Sequence, residues 1–261
     1  MQVIGELING MYKNVRNAIQ KQDKEAIKNL ALAQVNAGAN LLDVNCGPAA
    51  KEPVGAINWL IDAIREVTKV KLVIDTTNYE AMESALSKEP GSIINSTTAD
   101  DEKMKRIFDL ALKYKSGIIA LSMDKKGIPR NKDERLEMAL KIITYCGEVN
   151  FDATNLYLDP VILPVNVAQA QAKEVVEAVR DFKILSSPPP KTVVGLSNIS
   201  QRTQNRSLIN RIYLVMLMDA GLDAAILDPF DKDLMEAVIT TELLLDKHIY
   251  CDSFLDAYKG N

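Results

Sequence analysis

A short β-branched run followed by a longer segment with apolar residues at helical spacing recurs eight times along the chain, and this alternation constrains the fold more than any other feature. The strand-like runs fall at residues 3–10, 41–48, 71–75, 92–95, 117–122, 156–160, 192–196 and 224–227. Helical spacing follows at 23–38, 54–68, up to 86, and then at 101–114, 133–149, 168–185, 205–220 and 231–247. Alternation of this kind requires parallel strands with crossover helices, because a strand followed by a helix re-enters the same sheet in the same direction. Eight uninterrupted units predict a closed (β/α)8 TIM barrel in a single domain, residues 1–261, rather than an open doubly wound sheet. Pro188, Pro189 and Pro190 are too few to separate domains and are read as a stiff connection on the bottom face.

The 261 residues, 47% of them hydrophobic, supply enough core for one large domain. With 31 basic against 35 acidic residues and a net charge of −4, the chain has no overall positive field for nucleic acid or an anionic membrane surface. No apolar run approaches the roughly 18 residues of a membrane span, and Met1 leads directly into a strand pattern, so a cytoplasmic protein is expected. Cys46, Cys146 and Cys251 are too widely spaced for a zinc motif, and His248 is the only histidine. No resident metal is expected, and acid–base chemistry falls to other groups.

The strand ends supply them. In a barrel, the carboxyl ends of all strands meet at one mouth. There the sequence places Glu6, Asn9, Asp43, Asn45, Asp75, Asn95, Asp159, Asn198 and Asp228. No lysine sits at a strand end to form a Schiff base. A carboxylate-rich magnesium site is one reading of such a ring. The alternation of acids with amides suits better a flat ligand that carries both N–H donors and ring-nitrogen or carbonyl acceptors, such as a pterin. Any single tip residue could equally be a helix cap or turn former. The run Thr192-Val193-Val194-Gly195-Leu196-Ser197-Asn198 is the most informative tip, because its β-branched residues end abruptly in small and amide-bearing ones.

The ordered set Gly5-Glu6-Leu7-Ile8-Asn9, Asp43-Val44-Asn45, Asp75-Thr76-Thr77-Asn78, Ile94-Asn95-Ser96, Asp159-Pro160 and Gly195-Leu196-Ser197-Asn198 resembles the pterin-binding-domain family over essentially the whole chain. Within it, the Gly-Leu-Ser-Asn tip, with Leu163-Pro164-Val165-Asn166 and Asn210-Arg211, is most similar to the methyltetrahydrofolate:corrinoid/iron–sulfur protein methyltransferases of the acetyl-CoA pathway. The resemblance implies that Asp75, Asn95 and Asp159 hold the pterin, that Asn198 approaches N5, and that Gly195 and Ser197 neighbour the ring. It also implies transfer of the N5-methyl group of 5-methyltetrahydrofolate to cob(I)alamin. The corrinoid would be supplied by a partner corrinoid/iron–sulfur protein, since nothing here matches the Asp-x-His-x-x-Gly corrinoid motif. No tightly bound cofactor is expected, and a homodimer is.

Dihydropteroate synthase, a relative on the same barrel, carries a lysine-bearing tip where Ser197-Asn198 stands, and its Thr-Pro-Asp-Ser-Phe loop after the first strand is missing. Three further readings stay open at the sequence level. They are a folate-binding methyltransferase of a demethylase system, a synthase acting on a pterin diphosphate with Arg202, Arg206 and Arg211 as its cations, and a non-catalytic pterin carrier. Residues 10–14, 124–132 and 200–206 are the expected docking loops for a corrinoid protein.

Overall fold

The computed structural model describes residues 1–47 and 50–258. Eight strands, β1 (Gln2–Asn9), β2 (Leu41–Asn45), β3 (Lys71–Asp75), β4 (Ile93–Thr98), β5 (Gly117–Leu121), β6 (Leu156–Asp159), β7 (Lys191–Gly195) and β8 (Ala224–Leu227), pair in sequence order into a closed barrel. Every pairing is parallel, and β1 closes the ring against β8. Pro48, the last residue of the second expected strand run, lies outside the described residues.

The strands are apolar on both faces, as buried parallel strands must be. Outward-facing Leu42, Val44, Leu72, Ile74, Ile94, Ile118 and Val194 join the core between sheet and helices. Inside the barrel, Ile4, Leu41, Val73, Ile93, Ile119, Tyr157, Val193 and Ala224, one from each strand, form a separate buried layer. Because side chains alternate along a strand, the residue two positions later also faces inward. That rule yields Glu6, Asp43, Asp75, Asn95, Leu121, Asp159, Gly195 and Ile226 as the next layer toward the carboxyl ends. Leu121 and Ile226 pack down onto the apolar layer, and the others meet at the mouth.

The helices are α1 (Lys13–Lys21), α2 (Lys24–Asn36), α3 (Pro53–Arg65), α4 (Tyr79–Lys88), α5 (Asp101–Tyr114), α6 (Lys132–Glu148), α7 (Val165–Ala168), α8 (Gln171–Phe182), α9 (Arg206–Asp219), α10 (Lys232–Leu244) and α11 (Phe254–Tyr258). Their local causes are ordinary ones. Helix α3 starts on a proline and buries Ile57, Leu60, Ile61 and Ile64, spaced to line one face. In α5, the Asp100 side chain accepts from Lys103 N at 3.2 Å, acidic residues occupy the first turn, and Lys115 closes the helix in the left-handed region.

Two segments depart from the sequence expectation. Helix α1 lies between the first strand run and the helix expected over 23–38, where the sequence reading assigned no element, because only Val15, Ala18 and Ile19 of its nine residues are apolar. The helix expected over 168–185 is α8, and a further short helix, α7, stands ahead of it after Pro164. Among the described residues, no helix is long and apolar enough to cross a membrane.

Candidate functional site

The mouth is held together by amide–carboxylate pairs that cross between strands. Asn45 Nδ2 on β2 donates to Asp75 Oδ2 on β3 at 2.6 Å, while Asn45 Oδ1 accepts from Gly47 N at 2.6 Å. Asn95 Nδ2 on β4 reaches past β3 to donate to Asp43 Oδ1 on β2 at 3.1 Å. Both carboxylates are raised in proton affinity. Asp43, fully enclosed, stands well above the usual range through burial first and the neighbouring Asp75 charge second, against the lowering bond from Asn95. Burial likewise raises Asp75, opposed by Asn45. Two buried acids whose charges oppose each other do not both ionise readily.

Across the mouth, Ser197 Oγ donates to Glu6 Oε1 at 2.8 Å. Burial pushes Glu6 up to about 6, with the Asp228 charge adding to the rise and Ser197 and Arg206 opposing it. Arg206 itself binds Ser200 Oγ at 3.2 Å and the Ser197 carbonyl at 3.3 Å, tying the segment after β7 to the start of α9. On β6, Asp159 is buried, and burial raises it to about 7 despite the Val161 N–H and the Arg135 charge. Its Oδ1 accepts from Val161 N at 2.7 Å. Asp43, Asp75 and Asp159 each keep one oxygen without a protein partner among the described residues. Those oxygens are available to N–H groups of a ligand.

Gly195 ends β7, and Ser197 and Asn198 lie in a 3-10 turn, Leu196–Asn198, directly beyond it. The Asn198 side chain is exposed and hydrogen-bonds to no described residue, and α9 takes no side-chain cap, so Asn198 is not a helix cap. Its Nδ2 lies only 3.0 Å from where a Cβ on residue 195 would stand, which explains a small residue there. Gly10 is constrained in the same sense: a Cβ would meet the Cys46 carbonyl at 2.2 Å, so the β1 and β2 tips approach through their backbones.

The expected site residues Asp75, Asn95, Asp159, Gly195, Ser197 and Asn198 therefore converge on one end of the barrel, and Glu6, Asp43, Asn45 and Asp228 join them. Two other amides do local work. Asn9 Oδ1 accepts from Met11 N at 2.9 Å in a turn, and Asn78 Oδ1 caps α4 through Ala81 N at 2.9 Å. One contributor was missed by sequence reasoning. Arg135, in the first turn of α6, is fully buried and donates to the Pro160 carbonyl at 2.7 Å. Its signal was legible: Arg135, Ala139, Ile142 and Cys146 share the buried face of α6, and an arginine on an apolar stripe needs a reason.

Concavities open away from this mouth. One of about 210 Å³, lined by Gln2, Asn40, Lys71, Tyr157 and Lys191, sits at the amino-terminal end of the barrel. Another, of about 200 Å³, runs between α4 and α5 beside Tyr79 and Arg106. Neither gathers buried carboxylates of raised proton affinity, and the carboxyl end is where barrel enzymes carry their chemistry, so the mouth is the stronger candidate. Among the described residues, no group of three or more His, Cys, Asp or Glu side chains could hold a metal ion.

Residues 10–228 match the sequence pattern described as pterin binding enzyme. The chain is 28% identical over 267 residues to a methylcorrinoid:tetrahydrofolate methyltransferase of Eubacterium limosum, covering 99% of this chain and 96% of that protein. It is 26% identical over 238 residues to the methionine synthase of Mycobacterium tuberculosis, covering 86% of this chain but only 20% of that much longer protein. Among solved structures, a Yersinia pestis dihydropteroate synthase with a pterin–sulfa conjugate superposes with a TM-score of 0.71 at 16% identity, covering 95% of this chain and 94% of that one. The Xanthomonas albilineans dihydropteroate synthase bound to 7,8-dihydropteroate gives 0.69 at 15%, with the same coverages. At such identities these structures share the barrel fold.

Proposed function

The chain belongs to the pterin binding enzyme family, and from that we propose that it binds a tetrahydrofolate at the barrel mouth and transfers a methyl group between N5 of that folate and a corrinoid carried by a separate protein. The observation that carries the reading is the inward layer itself. Four carboxylates and an amide, Glu6, Asp43, Asp75, Asn95 and Asp159, stand two residues above an apolar floor, with the unpartnered amide of Asn198 beside them. The full-length likeness to a methylcorrinoid:tetrahydrofolate methyltransferase supports the same chemistry.

The corrinoid supplies a cobalt that accepts or releases the methyl group. This chain's residues handle the nitrogen. Asp75, Asn95 and Asp159 hold the pterin edge by pairing carboxylate and amide groups with its ring donors and acceptors. When N5 is the leaving group it must gain a proton, and when it is the attacking group it must lose one. Asn198 donates to or accepts from N5 as its charge changes, and Glu6, raised to about 6 and joined to the same tip through Ser197, is the proton reservoir, relayed by solvent.

The relative's name runs from methylcorrinoid to tetrahydrofolate, opposite to the direction expected from the sequence. One transition state serves both, so supply decides the direction. An iron–sulfur partner and a place in the acetyl-CoA pathway are the narrower form of this proposal, and the relative's name supports only its corrinoid part. Docking is supported by large apolar residues left exposed on the connections that follow the strands: Met11 and Tyr12 within 10–14, Ile128 within 124–132, Val167 on α7 and Phe230 after β8, whereas 200–206 carries none. A homodimer fits the exposed Leu244, Ile249 and Tyr250 near the carboxyl end, and sedimentation would test it.

The deciding experiment follows the cobalamin spectrum. Methylcobalamin with tetrahydrofolate, and cob(I)alamin with 5-methyltetrahydrofolate, should each equilibrate faster with the protein than without it. Folate binding with no acceleration in either direction would leave a carrier, and condensation of a pterin diphosphate with p-aminobenzoate would leave a synthase.

A further inference from the structure

Arg135 is the one fully buried arginine in the described chain, and all its described contacts are to backbone carbonyls: Pro160 O at 2.7 Å, Asn131 O at 3.0 Å and Val161 O at 3.5 Å. No carboxylate lies within ion-pair distance of it among the described residues. Burying a guanidinium without a counterion is unfavourable, and an apolar residue of similar size would fill the same space at lower cost. What the guanidinium adds is a planar fork that spans two elements, the first turn of α6 and the loop leaving β6. That loop is held in an unusual shape. Val161, a β-branched residue, has φ 65°, in the left-handed region such residues avoid, and in that conformation its N–H donates to Asp159 Oδ1 at 2.7 Å.

We infer that Arg135 is a positioning residue for Asp159: by fixing the Pro160–Val161 backbone from α6 it aims the Val161 N–H at one carboxylate oxygen and turns the other toward the bound pterin. The inference rests on the reading of Asp159 as a pterin-holding group. The charge acts in the same direction as the geometry, since Arg135 lowers the proton affinity that burial raises in Asp159. Glu134 on α6, Glu174 on α8 and Tyr213 on α9 also face the guanidinium, and all of them act to keep it charged, against the lowering by burial. Asp159 is thus served by a backbone donor and a positive charge, both dependent on one side chain.

The test combines tetrahydrofolate binding by calorimetry with direct titration of Asp159 by carboxyl carbon NMR, in wild type, Arg135→Met, Arg135→Lys, Val161→Gly and Asp159→Asn. The wild-type midpoint is expected near the value of about 7 that burial imposes. Folded Arg135→Met should titrate higher and bind tetrahydrofolate on the order of tenfold more weakly at pH 6, the factor that one unit of midpoint displacement brings. Arg135→Lys keeps the charge but not the fork, so its midpoint should return toward wild type while affinity recovers only in part. Val161→Gly accepts φ 65° without strain but frees the loop, and it should weaken binding with little change in midpoint; it serves the test if Arg135→Met does not fold. Wild-type affinity and midpoint in Arg135→Lys and in folded Arg135→Met, or wild-type affinity in Val161→Gly, overturn the inference. If Asp159→Asn also binds normally, the pterin reading of Asp159 has failed as well. Weak binding in Asp159→Asn beside normal Arg135 variants confines the failure to this inference.

Discussion

Asn198 is where catalysis and stability separate most cleanly. Its side chain is exposed, has no partner among the described residues and caps no helix, so Asn198→Ala creates no cavity and orphans no buried group. Folding stability should change by no more than about 0.5 kcal/mol, the usual range for surface substitutions away from special features. If the amide acts as charge changes at N5, methyl transfer should fall on the order of 10²–10³-fold, about 2.7–4 kcal/mol, as for loss of one preorganised donor. Affinity for the folate should fall less, because a transition-state interaction appears in the rate constant. Gly195→Ala gives an independent handle: its new Cβ would stand 3.0 Å from Asn198 Nδ2, so the amide must shift by a few tenths of an ångström and part of the rate loss should be reproduced with Asn198 intact. Single-turnover transfer at saturating folate, read from the methylcobalamin spectrum, measures both variants, and thermal melts check the fold. Near-wild-type rates for Asn198→Ala would falsify the assignment, and a large drop in melting temperature would mean that the side chain has a structural role not evident from its contacts.

Asp159 is raised by burial from 3.8 to about 7, so its contribution to stability is fully present below the unfolded value and is lost as pH rises through about 7. Asp159→Asn should therefore gain stability relative to wild type between pH 5 and pH 8, by up to a few kcal/mol (about 1.4 kcal/mol per unit), and parallel melting curves across that range would count against the burial argument. Asp43→Asn removes a buried acid held well above its usual range while keeping an oxygen to accept from Asn95, so chemical denaturation at pH 8 should show a more stable protein. Ser197→Ala deletes the hydrogen bond that holds Glu6 down, and the Glu6 midpoint, followed by NMR, should move above about 6; a downward move would mean that Ser197 accepts rather than donates.

The barrel and its polar rim were legible in the chain because both rest on short-range periods. An apolar floor residue such as Val73 and a polar tip such as Asp75 are two positions apart, and a strand puts them on one face whatever surrounds it. Helical spacing located α3 and α5 for the same reason, while α1 escaped because burial of Val15 and Ala18 leaves so narrow a stripe. What each tip does was not local. Asn9 and Asn78 serve a turn and a cap, whereas Asn45 and Asn95, of the same residue type at equivalent-looking tips, pair with carboxylates 30 and 52 residues away. Those pairings depend on which strands become neighbours and at what stagger, quantities set only when the sheet closes. Ring closure likewise enclosed Asp43 with Asp75 and Asp159 away from water, raising carboxyls that an unfolded chain would hold near ordinary values. Arg135 makes the division plain: sequence spacing puts it on the buried face of α6, and only the packing of that helix against the β6 loop brings it to Pro160 and Val161, beside Asp159.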